Sequence, residues 1–239
     1  MSSMTAPDPS GGPAGETTLD AFLDGALVLE QPRRGHRMGH DAVLLAGLAG
    51  AEDRTLVDFG SGAGGVALCA LARHPGARAV LVEREPPLAA LAAWNAERNG
   101  LSGRCEILCA DVVHLNRRGG PSVELADLVL ANPPFNLSRA HRVSPDASRA
   151  RAHMADEGLL SDWVVAAARC LKPGGRLALI LRPSELPLLL AALQGRFGAL
   201  ELRPVHPTAD RPAVRLLARA LKGRRTPPGI LPGLVLGEG

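Results

Sequence analysis

From residue 55 onward, short continuous apolar runs alternate with longer stretches in which apolar residues recur every three or four positions. The runs Thr55 to Phe59, Arg78 to Glu83, Cys105 to Cys109, Asp127 to Ala131 and Arg176 to Leu181 have strand length and are rich in Val, Leu and Ile. Strands apolar on both sides belong to a parallel sheet covered on both faces. The periodic stretches predict helices over Gly64 to Ala72, Pro86 to Asn99, Leu159 to Leu171 and Ser184 to Leu193, with Gly100 closing the second. A polar loop is expected from about 136 to 157 and a turn at Lys172-Pro173-Gly174-Gly175. The last two apolar runs, Leu200 to His206 and Ala213 to Ala220, have no helix between them and predict an antiparallel hairpin at one sheet edge. The pattern is α/β: a seven-stranded, mostly parallel, Rossmann-like sheet with an antiparallel edge.

Upstream the rhythm changes. Thr18 to Leu23 and Ala26 to Gln31 flank Asp24-Gly25, a hairpin signal. Asp41 is placed to cap a short helix through Val43 to Ala46. Residues 1–16, rich in Ser, Pro, Gly and Thr, read as a disordered tail. The expected division is therefore a tail over 1–16, a hairpin and helix over 17–50 packed on the core, and the main domain over 51–239.

Composition sharpens this in three ways. Hydrophobic content is 46% but aromatic content only 3%, with no Tyr, so the core must be aliphatic. The net charge of +3 permits a polyanionic partner without requiring one. Its Arg residues are clustered: Arg33, Arg34 and Arg37 with His36 and His40; Arg139, Arg142, Arg149 and Arg151; and Arg211, Arg215, Arg219, Lys222, Arg224 and Arg225. The four cysteines, Cys69, Cys105, Cys109 and Cys170, form no C-x-x-C pair, so no metal is expected and buried reduced thiols are. The sequence shows neither the apolar core of a signal peptide nor a membrane-length apolar run, and a soluble, cytoplasmic protein is expected.

Chemistry concentrates after the strands. Asp58-Phe59-Gly60-Ser61-Gly62-Ala63-Gly64-Gly65 follows the first of them, and a turn this tight needs glycine. Glu83 ends the second strand, where a carboxylate can accept bonds from two ribose hydroxyls. Asp111 follows the third and is placed to bond the amino group of an adenine. Gly60, Gly62 and Gly65 also fit the G-x-G-x-x-G spacing of a nicotinamide enzyme, which stays a competing reading. Asp58 argues against it: a carboxylate there repels a pyrophosphate but suits an ammonium group. The fourth strand ends in Asn132-Pro133-Pro134-Phe135. Two prolines stiffen the turn and lack N–H groups, leaving an amide side chain and free carbonyls beside a flat ring. That arrangement suits a planar substrate bearing an amino group.

Taken together, Asp58 to Gly64, Glu83, Asp111 and Asn132 to Phe135 resemble a class I S-adenosylmethionine-dependent methyltransferase, of the kind that methylates planar amino nitrogens. The run from Gln31 to Ala46 before the glycine loop is similar to that of the bacterial valine-tRNA (adenine-37-N6)-methyltransferase group. Ser144-Pro145-Asp146 and Ala220 to Arg225 agree with its proteobacterial members, and the likeness spans about residues 18 to 236. It departs at Phe135, where that group often carries Tyr, and in ending soon after Leu236. The resemblance implies S-adenosyl-L-methionine held by Asp58, Gly60, Ser61, Gly62, Gly64, Glu83, Asp111, Val112 and Asn132. It implies Asn132, Pro133, Pro134 and Phe135 as catalytic elements. It implies an RNA partner, tRNA first, met by Arg33, Arg34, Arg37, His40 and Arg151. Ribosomal-RNA guanine-N2 and protein glutamine-N5 methyltransferases share the Asn-Pro-Pro-aromatic turn and stay open as alternatives.

Overall fold

The computed structural model describes residues 16–33, 37–120, 122–123, 125–134 and 145–237, without the side chains of 145–157. The chain begins with an antiparallel hairpin, β1 (Thr17–Phe22) and β2 (Leu27–Pro32), followed by helix α1 (His40–Ala46). Then come β3 (Thr55–Phe59), α2 (Gly65–Arg73), β4 (Arg78–Glu83), α3 (Pro86–Arg98), β5 (Cys105–Cys109) and β6 (Ala126–Ala131). Helix α4 (Pro145–Cys170) leads into β7 (Leu171–Leu181), and α5 (Leu186–Leu193) into β8 (Phe197–His206) and β9 (Arg215–Lys222). Two short strands, β10 (Gly229–Ile230) and β11 (Leu234–Val235), close the order.

The main sheet runs β10-β8-β9-β7-β6-β3-β4-β5, with β11 also on β8. Only β9 opposes its neighbours, so the expected antiparallel edge is present. To the seven expected strands the structure adds β10 and β11, both parallel to β8. Pairs of two residues are too short to show any alternation in sequence.

Side-chain alternation separates two cores. Val57, Phe59, Val80, Val82, Val129 and Leu179 face α4 and α5. Leu56, Leu81, Leu128, Leu130 and Ile180 face the side of α1 and α2, where Leu27, Leu29 and Leu45 of the N-terminal elements join the same cluster. Aromatic packing is sparse, as the composition demands. Phe59 and Trp163 meet edge to face, 6.0 Å apart at 88°, a contact worth about 0.5–1.5 kcal/mol beyond burial. Helix α3 ends as expected: Gly100, at φ +65°, and Leu101 return their N–H groups to Glu97 and Ala96.

Three local expectations are corrected. The segment read as loop to residue 157 is helical from Pro145. A proline opening a stretch rich in Ala and Arg favours a helix, but the stretch is polar all round and gives no periodic signal, and Gly158 masks its continuity. The turn at Lys172 to Gly175 is absorbed into β7 as an irregularity, Leu171 pairing with Ala126 and Arg176 with Leu128. Asp41 does not cap α1: Gly39 is the N-cap, without a side-chain bond, and Asp41 binds Arg215 of β9 at 2.8 Å. The expected tail, apart from Glu16, lies outside the described residues.

Candidate functional site

Register places the chemistry-bearing residues along one edge. Phe59 pairs with Val82 and Ala131, and Glu83 with Cys109. Asn132, Gly60, Glu83 and Asp111 therefore follow one another across the C-terminal ends of β6, β3, β4 and β5, at strand spacings of about 4.8 Å. In open α/β sheets this edge is the ligand edge.

The glycine loop is built by close approach. Gly60 has φ +64°, and a Cβ there would stand 2.7 Å from the Trp163 ring. Gly64, at φ +91°, caps α2. Glu83 braces the loop: its Oε2 accepts the Gly62 N–H at 2.8 Å and its Oε1 the Glu85 N–H at 2.9 Å. Its place in the sequence gives Glu83 a position from which a carboxylate can accept bonds from two ribose hydroxyls. In the structure both oxygens already hold backbone, so any ligand bond uses their remaining lone pairs. The buried Ser61 Oγ has no hydrogen-bond partner among the described residues.

Alternation turns Asp58 to the α2 side, where the Ala67 N–H donates to its Oδ2 at 3.0 Å. Burial pushes this carboxyl up to about 7, against the Ala67 bond and with a further push from the charge on Glu83. Asp111 accepts the Val113 N–H at 3.0 Å and so caps a short 3-10 turn whose first residue, Val112, is buried. Asn132 is half-buried just past β6, and its amide has no hydrogen-bond partner among the described residues. Pro133 is buried and Pro134 exposed. Phe135 and Arg34 lie outside the described residues, as does the side chain of Arg151.

A cleft of about 410 Å³ joins part of this set: Asp58, Gly60, Ser61, Gly62 and Asn132 line it together with Met38 and other residues of the N-terminal segment. Gly64, Glu83, Asp111, Val112, Pro133 and Pro134 do not line it. Arg37 and His40 do; Arg33 does not, and its side chain reaches the Thr17 carbonyl at 3.3 Å. Arg37 is held by Asp20 at 2.7 Å.

Sequence reasoning missed what fixes the N-terminal segment over the loop. Gln31, buried in the cleft wall, accepts the Met38 N–H at 2.6 Å and donates to Asp20 at 2.8 Å. Asn99 pairs with both backbone groups of Val28, and Asn95 with both of Glu30, at 2.8–2.9 Å. The second N–H of Asn95 donates to Ala63 of the glycine loop at 2.9 Å. Helix α3 thus behaves toward β2 like a neighbouring strand. The available signal was two amides four apart in an otherwise Ala- and Leu-rich helix, which puts them on one face.

The C-terminal cation cluster is divided by its strand. Arg211 and Arg215 lie at the ligand edge, Arg219 is paired with Glu201 at 2.6 Å, and Lys222 donates to the Leu171 carbonyl at 2.6 Å. Arg224 and Arg225 stand at the opposite edge, about 25 Å from Arg215 along β9. No cluster of metal-binding side chains occurs among the described residues, and burial pushes Cys69 up to about 11 and Cys170 to about 12.

The donors fit an amino-acid-bearing nucleoside. A glycine loop close enough for backbone approach, an unpartnered buried Ser61 hydroxyl and a buried acid beneath the loop suit an ammonium and carboxylate tail. A pyrophosphate laid on the same loop would face Asp58. The comparisons with known proteins agree. A family model described as the methyltransferase small domain matches residues 40–203. A tRNA1(Val) (adenine(37)-N6)-methyltransferase of Porphyromonas gingivalis is 31% identical over 205 residues, 83% of this chain and 80% of that protein. A crystal structure described as a predicted O-methyltransferase of Agrobacterium tumefaciens superposes with a TM-score of 0.69 at 32% identity, over 83% of this chain and 88% of the other. The structure of TrmN from Thermus thermophilus gives a TM-score of 0.54 at 25% identity, over 77% and 47%.

Proposed function

This chain belongs to the methyltransferase small-domain family and is an S-adenosylmethionine-dependent methyltransferase, and on that premise we propose that it methylates an exocyclic amino group of an RNA base, N6 of an adenine in tRNA. One observation carries the reading. The amide of Asn132, without a hydrogen-bond partner among the described residues, lines the same cleft as Asp58 and the glycine loop, at the end of a strand followed by two prolines.

In this reading Asp58 takes the cofactor's ammonium group, and the backbone of Gly60 to Gly62 and the Ser61 hydroxyl take its tail. Glu83 takes the ribose hydroxyls with its remaining lone pairs, and Asp111 and Val112 hold the adenine. The bound cofactor supplies a methyl group already activated on a sulfonium. The Asn132 side-chain oxygen accepts one hydrogen of the acceptor amine, and the Pro133 carbonyl accepts the other. Both dipoles are fixed before reaction and favour the positive charge that develops on the nitrogen. Holding the lone pair in line removes part of a barrier for which alignment supplies up to about 7–11 kcal/mol in favourable systems. Phe135 stacks on the base. No strong general base is needed, because the proton leaves after transfer. A base in a folded loop must first be unstacked, at a few kcal/mol. Arg33, Arg34, Arg37, His40 and Arg151 hold its phosphates.

The test is an acceptor panel with tritiated S-adenosylmethionine: unmodified total tRNA, ribosomal RNA and a peptide-release factor. Label in tRNA adenine supports the reading. Label in ribosomal-RNA guanine or in protein glutamine replaces it with one of the two alternatives.

A further inference from the structure

The cleft reaches past the cofactor residues to a wall that the sequence motifs do not touch. Val214, Arg215 and Leu236 line it together with Met38 and His40. Val214 and Leu236 are large apolar side chains, 42% and 47% exposed, on the rim of a polar site. Both are held by the end of β8. The Val214 N–H donates to the Val205 carbonyl at 2.8 Å, and the Leu236 N–H to the His206 carbonyl at 3.0 Å. Since β9 and β11 flank β8 on opposite sides, these residues stand about two strand spacings, or 10 Å, apart. The backbone beneath them is fastened. Arg215 donates to the Val214 carbonyl at 2.9 Å and to Asp41 at 2.8 Å. The segment before Leu236 lies flush on β8, for a Cβ on Gly233 would stand 2.9 Å from the His206 ring.

Two fixed, exposed aliphatic groups on either side of β8, on the rim of a site for amine methylation, offer an apolar surface to a partner. No Phe, Trp or Tyr side chain lines this cleft among the described residues. The face of a heteroaromatic base is apolar and its edge polar, so a base flanking the one that reaches Asn132 can lie on the aliphatic pair, since the sheet order sets Val214 about two strand spacings and Leu236 about four from the end of β6. Arg37 and Arg215, each also paired with an aspartate, line the same cleft and can meet phosphates of the same RNA strand.

We propose that Val214 and Leu236 form an aliphatic jaw that supports the face of a base flanking the acceptor and so helps to position the RNA strand, a role that rests on the RNA-methylating reading above. The jaw is part of the RNA site and contributes nothing to the cofactor site. Both side chains are exposed, so replacing them with serine leaves the core intact.

The experiment compares the wild type, the double variant Val214→Ser/Leu236→Ser and the variant Leu236→Met in tritiated methyl transfer to unmodified tRNA, with calorimetry of S-adenosylmethionine binding. The expected result is a KM for tRNA raised about tenfold or more in the double variant, the scale of removing methylene groups from an apolar pocket. Cofactor affinity should stay within about twofold, and Leu236→Met should retain near-normal KM. An unchanged KM overturns the jaw and leaves the RNA reading intact. A parallel loss of cofactor affinity also overturns it, by assigning the pair to the cofactor wall. A wild type that labels no RNA removes the reading and the jaw together.

Discussion

At the scale of single residues the account turns on Asn132 and Asp58. Asn132 has no structural bond among the described residues to lose, so Asn132→Ala should leave thermal stability and cofactor affinity nearly unchanged. Turnover should fall by about 10²–10³, the cost of removing one pre-set dipole; single-turnover rates beside calorimetry separate the two quantities. Asp58 makes a prediction about pH. Its folded-state value of about 7 lies above the ordinary carboxyl value of 3.8. In the free protein the neutral form is favoured, and this acid's contribution to stability, complete below about pH 4, is lost as pH rises toward 7. A bound ammonium group reverses the preference and requires the carboxylate. Cofactor binding near pH 6 should therefore release a proton. Affinity should rise with pH toward 7 and fall again above about 8, where an α-amino group loses its charge. Calorimetry in buffers of different ionisation enthalpy reads the proton directly. If Asp58→Asn releases the same proton as the wild type, Asp58 is not its source.

At the scale of elements, the site depends on a hairpin fastened to a helix. Asn95 is fully buried and bonds Glu30 on both sides and Ala63 in the glycine loop. Asn95→Ala removes those buried bonds and should cost about 1–3 kcal/mol, with weakened cofactor binding because the loop loses a brace. Asn99→Ala should destabilise as well, through Val28, yet spare cofactor affinity, because Asn99 does not touch the loop. Chemical denaturation with parallel cofactor titration checks both. This coupling was not legible in the sequence, because it joins residues some 65 positions apart through amides that read as ordinary helix surface. The loop and its strand were legible, since Gly60 and Gly64 need backbone freedom at fixed places after an apolar run. Helix α4 was misread at its start because its first turns carry propensity without periodicity.

At the scale of the whole molecule, register turns scattered residues into one edge. The parallel character of the sheet could be anticipated from the apolar runs, and so could the placing of Glu83, Asp111 and Asn132 at strand ends; the order β8-β9-β7-β6-β3-β4-β5 could not. The C-terminal cations could not. They read as one cluster along the chain, but β9 runs against the sheet and carries Arg215 and Arg225 to opposite edges. RNA binding should divide the same way. Replacing Arg33, Arg34 and Arg37 with Ala should flatten the dependence of log affinity on log salt by about 0.7 for each phosphate that is no longer neutralised. Replacing Arg224 and Arg225 should change it little. Filter binding across a salt series measures both, and an unaltered slope in the first variant would make that cluster a solvated face.

The central claim is that the Asn132 turn and the glycine loop together methylate an adenine amino group in tRNA. Mass spectrometry of tRNA nucleosides from a strain lacking this gene tests it most directly. The account predicts loss of N6-methyladenosine at one position, restored by the wild-type gene and not by Asn132→Ala. An unchanged nucleoside profile, or restoration by the Asn132→Ala gene, would contradict it.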